Sequence, residues 1–296
     1  MESTFARLFN TEEACQDYLA ELRWGKGFIC PRCSSNDYYL TGRALYRCKS
    51  CNLNTSLRSG TIFHGSRISL KKWFRALWDI SVNENLTSIS DFKRRFNLSR
   101  YQTVWNFLTK LKCTFKPVDR KLSGSVEIGD FWCHSTYTPP NSNSNETQND
   151  FLIIMIERKV KGGLVIKRLP FTHTIEMSHS LVELVEFYIE PQSSLMIGPG
   201  EIYKQLSKSK YKLRVDKYLE TNKQPPLTVG ANIAFNQWLT LPTSQRPKLS
   251  YIDFYAAEYC FKANFSHLKP IDKFNLALSN AIQTRPKTAK SIKGRK

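Results

Sequence analysis

Two cysteine pairs constrain this chain more than any other feature. Cys30-Pro-Arg-Cys33 is followed, after fourteen residues, by Cys48-Lys-Ser-Cys51. Two residues between cysteines let one tight turn aim both thiolates at a single ion, and two such knuckles complete the tetrahedral sulfur shell that structural zinc takes. The separation falls one residue under the usual span of about 15–20, and the pattern is still that of a ribbon. Between the knuckles, Tyr38-Tyr39-Leu40 and Ala44-Leu45-Tyr46 flank Thr41-Gly42-Arg43, which predicts a short hairpin. Four cysteines serving only as small core residues would leave this double pairing unexplained. Cys15, Cys113, Cys133 and Cys260 have no such spacing and read as ordinary buried or half-buried side chains. The cofactor expected is one structural zinc ion on Cys30, Cys33, Cys48 and Cys51.

Reduced thiols require a reducing compartment, and the N-terminal stretch agrees. It carries acids early and has no apolar segment flanked by basic residues, so no secretory signal is expected and the location expected is cytoplasmic. No apolar run is long enough to cross a bilayer, which excludes a membrane partner. With 44 Lys and Arg against 25 Asp and Glu, the net charge is +19. Such a balance fits a polyanionic partner, because each Lys or Arg near a phosphate releases condensed counterions. A merely basic soluble protein is the bland alternative. Aromatic residues at 12% place the charge on a folded body, and 296 residues allow two or three modules.

From Thr11, the apolar residues Cys15, Tyr18, Leu19 and Leu22 recur at helical steps. Ser69 opens a second helix whose stripe is Leu70, Trp73, Phe74, Leu77 and Trp78, with Lys71, Lys72 and Arg75 outside it. A third starts near Thr87 or Ser88, with Asp91 placed to complete a capping box, carries Ile89, Phe92 and Phe96 inward and ends at Asn97. Ser99-Arg-Tyr-Gln102 reads as a further capping box, opening a helix with Val104, Phe107, Leu108 and Leu111 on one side. Two short helices around a tight turn predict a helix-turn-helix. Its second helix presents Arg100, Tyr101, Gln102 and Asn106 to a major groove, while Lys93, Arg94 and Arg95 lie near phosphates. A helical packing module with a solvated basic face is the competing reading.

Further on, strand-like and helix-like segments alternate. Leu152-Ile-Ile-Met-Ile156 is a short β-branched run, and Ser180 to Ile189 carries Leu181, Leu184, Val185 and Tyr188 at helical spacing, so a mixed α/β core is expected. Pro139 to Asp150 lacks apolar residues and reads as an exposed loop. From Thr284 the chain has six Lys or Arg in thirteen residues and no acid, which predicts a basic disordered arm.

These residues resemble the bacterial insertion-sequence transposases that carry an N-terminal zinc ribbon before an RNase H-like core. The resemblance lies in Thr11-Glu-Glu-Ala-Cys15 with Leu22-Arg-Trp24, the two knuckles, Leu45-Tyr-Arg-Cys48, and Gly60-Thr-Ile-Phe63 leading into Leu70-Lys-Lys-Trp73-Phe. It continues in order and spacing. Val126-Glu-Ile128 is similar to the first core strand. Phe151 to Glu157 with Val165 to Arg168 resembles the following hairpin, closed by Lys161-Gly162-Gly163. Glu190-Pro191 precedes the next strand, and Tyr255 to Asn264 resembles the closing helix. The resemblance spans about residues 10 to 265. It implies domains at 1–65 (helix and zinc ribbon), 66–118 (helix-turn-helix) and 119–283 (RNase H-like core), ahead of the tail at 284–296.

The family's chemistry uses carboxylates that hold two divalent ions, one activating the attacking oxygen and one stabilising the leaving oxygen. Here those acids are missing. The resemblance puts the first two positions after Glu127, where the chain has Gly129; Asp130 is adjacent but faces the other side of a strand unless a bulge intervenes. The second falls at Gly198, with Glu201 the nearest carboxylate. The third element, an Asn followed three residues later by Glu, falls near Asn232, and no acid stands between Glu220 and Asp253. The expectation is a DNA-binding transposase relative with an inactive or impaired core, acting on element ends, with assembly into homo-oligomers open. Two alternatives stand: an active transposase using Asp130, Glu201 and Asn232 with magnesium or manganese, and a protein-contact module of a larger assembly.

Overall fold

The computed structural model describes residues 2–42, 45–134, 149–158, 163–169, 174–208, 210–215, 226–240 and 251–287. They fall into two compact units: Met1–Asn83 with Ile89–Thr114 and Leu268–Lys296, and Glu84–Ser88 with Phe115–His267.

The first unit holds α1 (Glu2–Leu8), α2 (Glu12–Trp24), a three-stranded sheet of β1 (Tyr38–Leu40), β2 (Tyr46–Cys48) and β3 (Asn54–Thr55), then α3 (Leu70–Val82), α4 (Ile89–Phe96), α5 (Tyr101–Lys112) and the last helix, Pro270–Gln283. Thr11 and Ser69 cap α2 and α3 as their positions predict, accepting from the backbone N–H of Ala14 at 3.1 Å and of Lys72 at 3.2 Å. The core is aromatic. Phe9 meets Phe74 and Phe274 at ring separations of 5.2 Å, and Trp73 meets Phe107 at 4.6 Å. Glu12 ties α2 to the start of α3, accepting from the N–H groups of Leu70 at 2.7 Å and Lys71 at 2.9 Å. That carboxylate sits at the positive end of α3 and satisfies donors the helix leaves open.

Several details differ from the sequence reading. The last helix belongs to this unit, not to the core span 119–283, because its Phe274 joins the α3 aromatics and its Ala281 carbonyl accepts from Ile62 N–H at 3.2 Å. α5 starts at Tyr101 with Arg100 at its N-cap and no side-chain cap, so the Ser99 capping box does not form. Gln102 instead donates to Asn106 one turn along, at 2.9 Å. β1 and β2 pair as the hairpin predicts, Tyr39 opposite Arg47, although β2 begins at Tyr46; Arg43 and Ala44 lie outside the described residues. The two-residue β3 is too short to leave a sequence signal.

The second unit is a five-stranded mixed sheet flanked by helices. Its strands are β4 (Ser125–His134), β5 (Asn149–Glu157), β6 (Leu164–Leu169), β7 (Ser194–Ile197) and β8 (Lys212–Val215), in the order β6-β5-β4-β7-β8. β4, β5 and β6 pair antiparallel, whereas β7 and β8 run parallel to β4. This is the RNase H-like arrangement that the resemblance implies. α6 (Thr174–Tyr188) covers one face, packing Met177, Leu181 and Val185 with Val126, Ile128, Ile153 and Leu195. α7 (Leu227–Thr240) and α8 (Ile252–Asn264) cover the other, where Phe235, Trp238 and Cys260 meet Leu152, Ile154 and Ile166. The period of two along β4 therefore sends Val126 and Ile128 to α6, and Glu127 and Gly129 to α7. The final helix of the first unit is α9 (Pro270–Gln283).

Asn149 and Asp150, read as the end of an exposed loop, are the first residues of β5, because they pair with His134 and Cys133. The rest of that loop to residue 148, and the tail from 288, lie outside the described residues. Within α8, Lys262 donates to Glu258 at 2.6 Å and to the Asn85 carbonyl at 2.9 Å, which satisfies a buried ion pair. Among the described residues, no helix is long and apolar enough to cross a membrane.

Candidate functional site

The ribbon gathers its four cysteines as their spacing predicts. The sulfurs of Cys30, Cys33, Cys48 and Cys51 all lie within 4.8 Å of one another, with Cys30 to Cys51 and Cys33 to Cys48 each 3.5 Å apart. A zinc ion about 2.3 Å from each of four sulfurs fits a cluster of this size. The two knuckles are built alike. In each, the first cysteine's carbonyl accepts from the residue four on, Ser34 at 2.9 Å and Asn52 at 3.0 Å, and both residues adopt left-handed backbone, with φ of 59° and 56°. The backbone N–H of Cys51 holds the Cys48 thiol down, at about 6, as thiolate ligation needs. Outside the cluster, burial pushes the thiols of Cys15 and Cys260 up to about 12 and that of Cys113 to about 11. Cys133's side chain lies outside what the structure describes.

α4 and α5 form the expected helix pair. Asn97 takes left-handed backbone at φ 48° just after α4, and Phe92, Phe96, Val104, Phe107, Leu108 and Leu111 are buried. The polar residues lie outside. Lys93, Arg94, Arg95, Arg100, Tyr101 and Gln102 are exposed and Asn106 half-buried, with Tyr101 at 61%. Arg94 pairs with Asp91 at 2.8 Å at the surface, where such a pair contributes little and is easily exchanged for another anion, and Arg95 pairs at 3.4 Å with the half-buried Asp79.

In the core, Ile128 and Ile197 are register partners on parallel strands, so Gly129 and Gly198 follow them side by side. The structure thus brings together the two positions where the resemblance places acids. A Cβ at Gly129 would lie 2.7 Å from Thr228 Oγ1 and 2.9 Å from Thr228 Cβ, closer than side chains pack. Gly198 has room, its nearest neighbour being a Tyr203 ring carbon at 4.0 Å. Thr228 is itself pinned. Its N–H and hydroxyl donate to Glu127 Oε1 at 2.9 and 3.0 Å, and Arg158 donates to Glu127 Oε2 at 3.3 Å. Glu127 is 3% exposed and serves as a cap for α7. Gly129→Ala is expected to cost about 1–3 kcal/mol by overpacking, read as a lower urea midpoint at unchanged slope.

The displaced acids are elsewhere. β4 pairs with β5 residue for residue from Val126 to His134, so no bulge turns Asp130 toward the Gly129 face. Asp130 instead accepts from the Tyr203 hydroxyl at 2.5 Å, on the α6 side. Burial, with the Asp130 charge, pushes the Tyr203 phenol well up and keeps it a donor. Glu201 opens the 3-10 helix Glu201–Lys208, is 69% exposed and pairs with Lys204 at 2.6 Å. Asn232 lies one turn beyond Thr228 on α7, accepting from Asn236 at 2.9 Å. Two glycines and a carboxylate whose oxygens are both engaged do not fit a two-metal centre. Thr228 and Arg158, which define this arrangement, carried no sequence signal of their own; they lie 101 and 31 residues from Glu127.

Residues 10–54 match the transposase zinc-ribbon domain family. Over 131 residues the chain is 30% identical to a Halobacterium salinarum protein described as an uncharacterized protein in transposable element ISH50, a span of 43% of each chain. Weaker likenesses are to a Mos1 strand transfer complex (TM-score 0.31, 11% identity, 74% of this chain and 80% of that one) and to a Mos1 transposase paired-end complex with left transposon end (0.30, 11%, 74% and 81%). Residues 10–54 are thus similar to a transposase zinc-ribbon domain, and the chain spans less than half the length of the transposable-element protein it matches.

Proposed function

We propose that this protein binds double-stranded DNA at the ends of an insertion element, through α4 and α5, with a folded RNase H-like core that does not perform strand transfer. The observation that carries the reading is Thr228 standing against Gly129, where a metal-binding acid would project. The net charge of +19 and the outward basic residues of α4 and α5 support the DNA partner. Lys93, Arg94 and Arg95 contact phosphates, while Arg100, Tyr101, Gln102 and Asn106 read base edges. Zinc on Cys30, Cys33, Cys48 and Cys51 holds the ribbon. Such a protein competes with active relatives for their sites.

The test is a binding titration beside a strand-cleavage and strand-transfer assay in manganese, on candidate element-end DNA. Expected are salt-dependent binding and no nicked or joined product. Arg100→Ala should cost about 1–3 kcal/mol of binding and relax discrimination at one position. Cleavage that disappears in Asp130→Ala would establish the active-transposase reading instead. Binding no steeper in salt than that of an unrelated basic protein would favour a protein-contact module.

A further inference from the structure

Beyond the helix pair, the core carries a cationic face on the side where its acids are missing. Glu127, Met196 and Arg214 are register partners across β4, β7 and β8, so their side chains leave the same face of the sheet. Lys212 lies on that face too, two residues before Arg214 and opposite Ser194, while the intervening Leu213 packs into the core on the α6 side. Arg158 Nη1 reaches the same row from the end of β5, 3.3 Å from Glu127 Oε2 and 3.3 Å from Met196 Sδ. Met196 thus stands in the row between Arg158 and Arg214. Lys212 and Arg214 are exposed, and neither meets an acid among the described residues. The one carboxylate that β4 places here is buried and already neutralised by Arg158.

A two-metal centre would make this face acidic until its ions bound. Here the fixed charge is positive without any ion. We infer that Arg158, Lys212 and Arg214 form a metal-independent binding site for the phosphodiester backbone of nucleic acid, the guanidinium and ammonium groups neutralising phosphate directly. Arginine suits this task because its planar donors can hold two phosphate oxygens at once. Arg158 can do so because its side chain remains 38% exposed while one nitrogen stays on Glu127. Lys212 and Arg214 extend the charge along the β8 edge, and phosphate contacts of this kind carry no base information, so the contact is indifferent to base sequence.

This inference rests on the DNA-binding reading and is separable from it. The full zinc-loaded chain is titrated with a fluorescent duplex over a range of salt, as wild type, as Lys212→Gln/Arg214→Gln, and as Arg158→Gln. The double variant removes exposed cations that pair with no acid among the described residues. It should lower the slope of log affinity against log salt by about 2, equally on specific and unrelated sequences, with Arg158→Gln lowering it by about 1. Magnesium should weaken binding only as its ionic strength dictates. A double variant with wild-type affinity and slope overturns the inference and leaves the helix-pair reading standing; tightening by magnesium also overturns it. A wild-type chain that fails to bind duplex removes both.

Discussion

Cys48→Ser, or a strong chelator, unfolds the ribbon and releases its zinc. The apolar cluster of this module is small: Phe28, Cys30 and Cys48 buried, with Trp24, Tyr46, Cys51 and Leu53 packed around them. Two of the three buried members are metal ligands, so the cluster disperses when the thiolates lose their shared ion. Strands of three, three and two residues cannot hold themselves. Zinc contributes about 10–16 kcal/mol of apparent folding free energy in modules of this kind, comparable to a whole domain's net stability. The checks are metal content, expected to fall from one zinc per chain to none, and the emission of Trp24, whose ring lies 4.1 Å from Tyr46 and under Arg23. Cys15→Ser should keep its zinc. A Cys48→Ser chain with full zinc and unchanged emission would overturn the assignment.

The ribbon was legible in the sequence because its chemistry is local. A knuckle needs four consecutive residues and one turn, and its spacing is written in the chain. The caps at Thr11 and Ser69 were legible for the same reason. Ser99 misled because the same local rule competes with other solutions: Arg100 ends up at the N-cap, and Gln102 finds Asn106 within its own helix. The core span 119–283 took in α9 because that span came from the resemblance, and nothing local in residues 270–283 says what the helix packs against. Its partner, α3, lies some two hundred residues upstream, and only the meeting of Phe274 with Phe74 and Trp78 decides the matter.

The core site divides along the same line. That Gly129 and Asp130 face opposite ways follows from the pleat alone, and the continuous register of β4 with β5 agrees. What fills the place of the missing acid did not follow, since Thr228 is 101 residues from Glu127 and begins a helix without charged residues. The long-range arrangement explains why restoring an aspartate at position 129 alone should not restore a metal site: its Cβ would meet Thr228 before its carboxylate reached any ion.

Glu127→Ala is therefore expected to destabilise the second unit by about 3 kcal/mol, with no change in its indifference to magnesium. Three groups lose their acceptor: the Thr228 N–H, the Thr228 hydroxyl and the Arg158 guanidinium. The first two are buried, and a buried donor left unsatisfied costs about 1–3 kcal/mol. Arg158 adds less, because its exposed portion turns to water. Glu127→Gln should retain most of the stability, since its amide oxygen still accepts from Thr228, and so separates the capping role from the charge. A ligand carboxylate behaves in the opposite way: its removal relieves repulsion in the metal-free protein and abolishes ion binding. Urea unfolding of the two variants with and without manganese distinguishes these cases. An alanine variant as stable as its parent, with a manganese-dependent midpoint lost, would make Glu127 a metal ligand and return the core to chemistry.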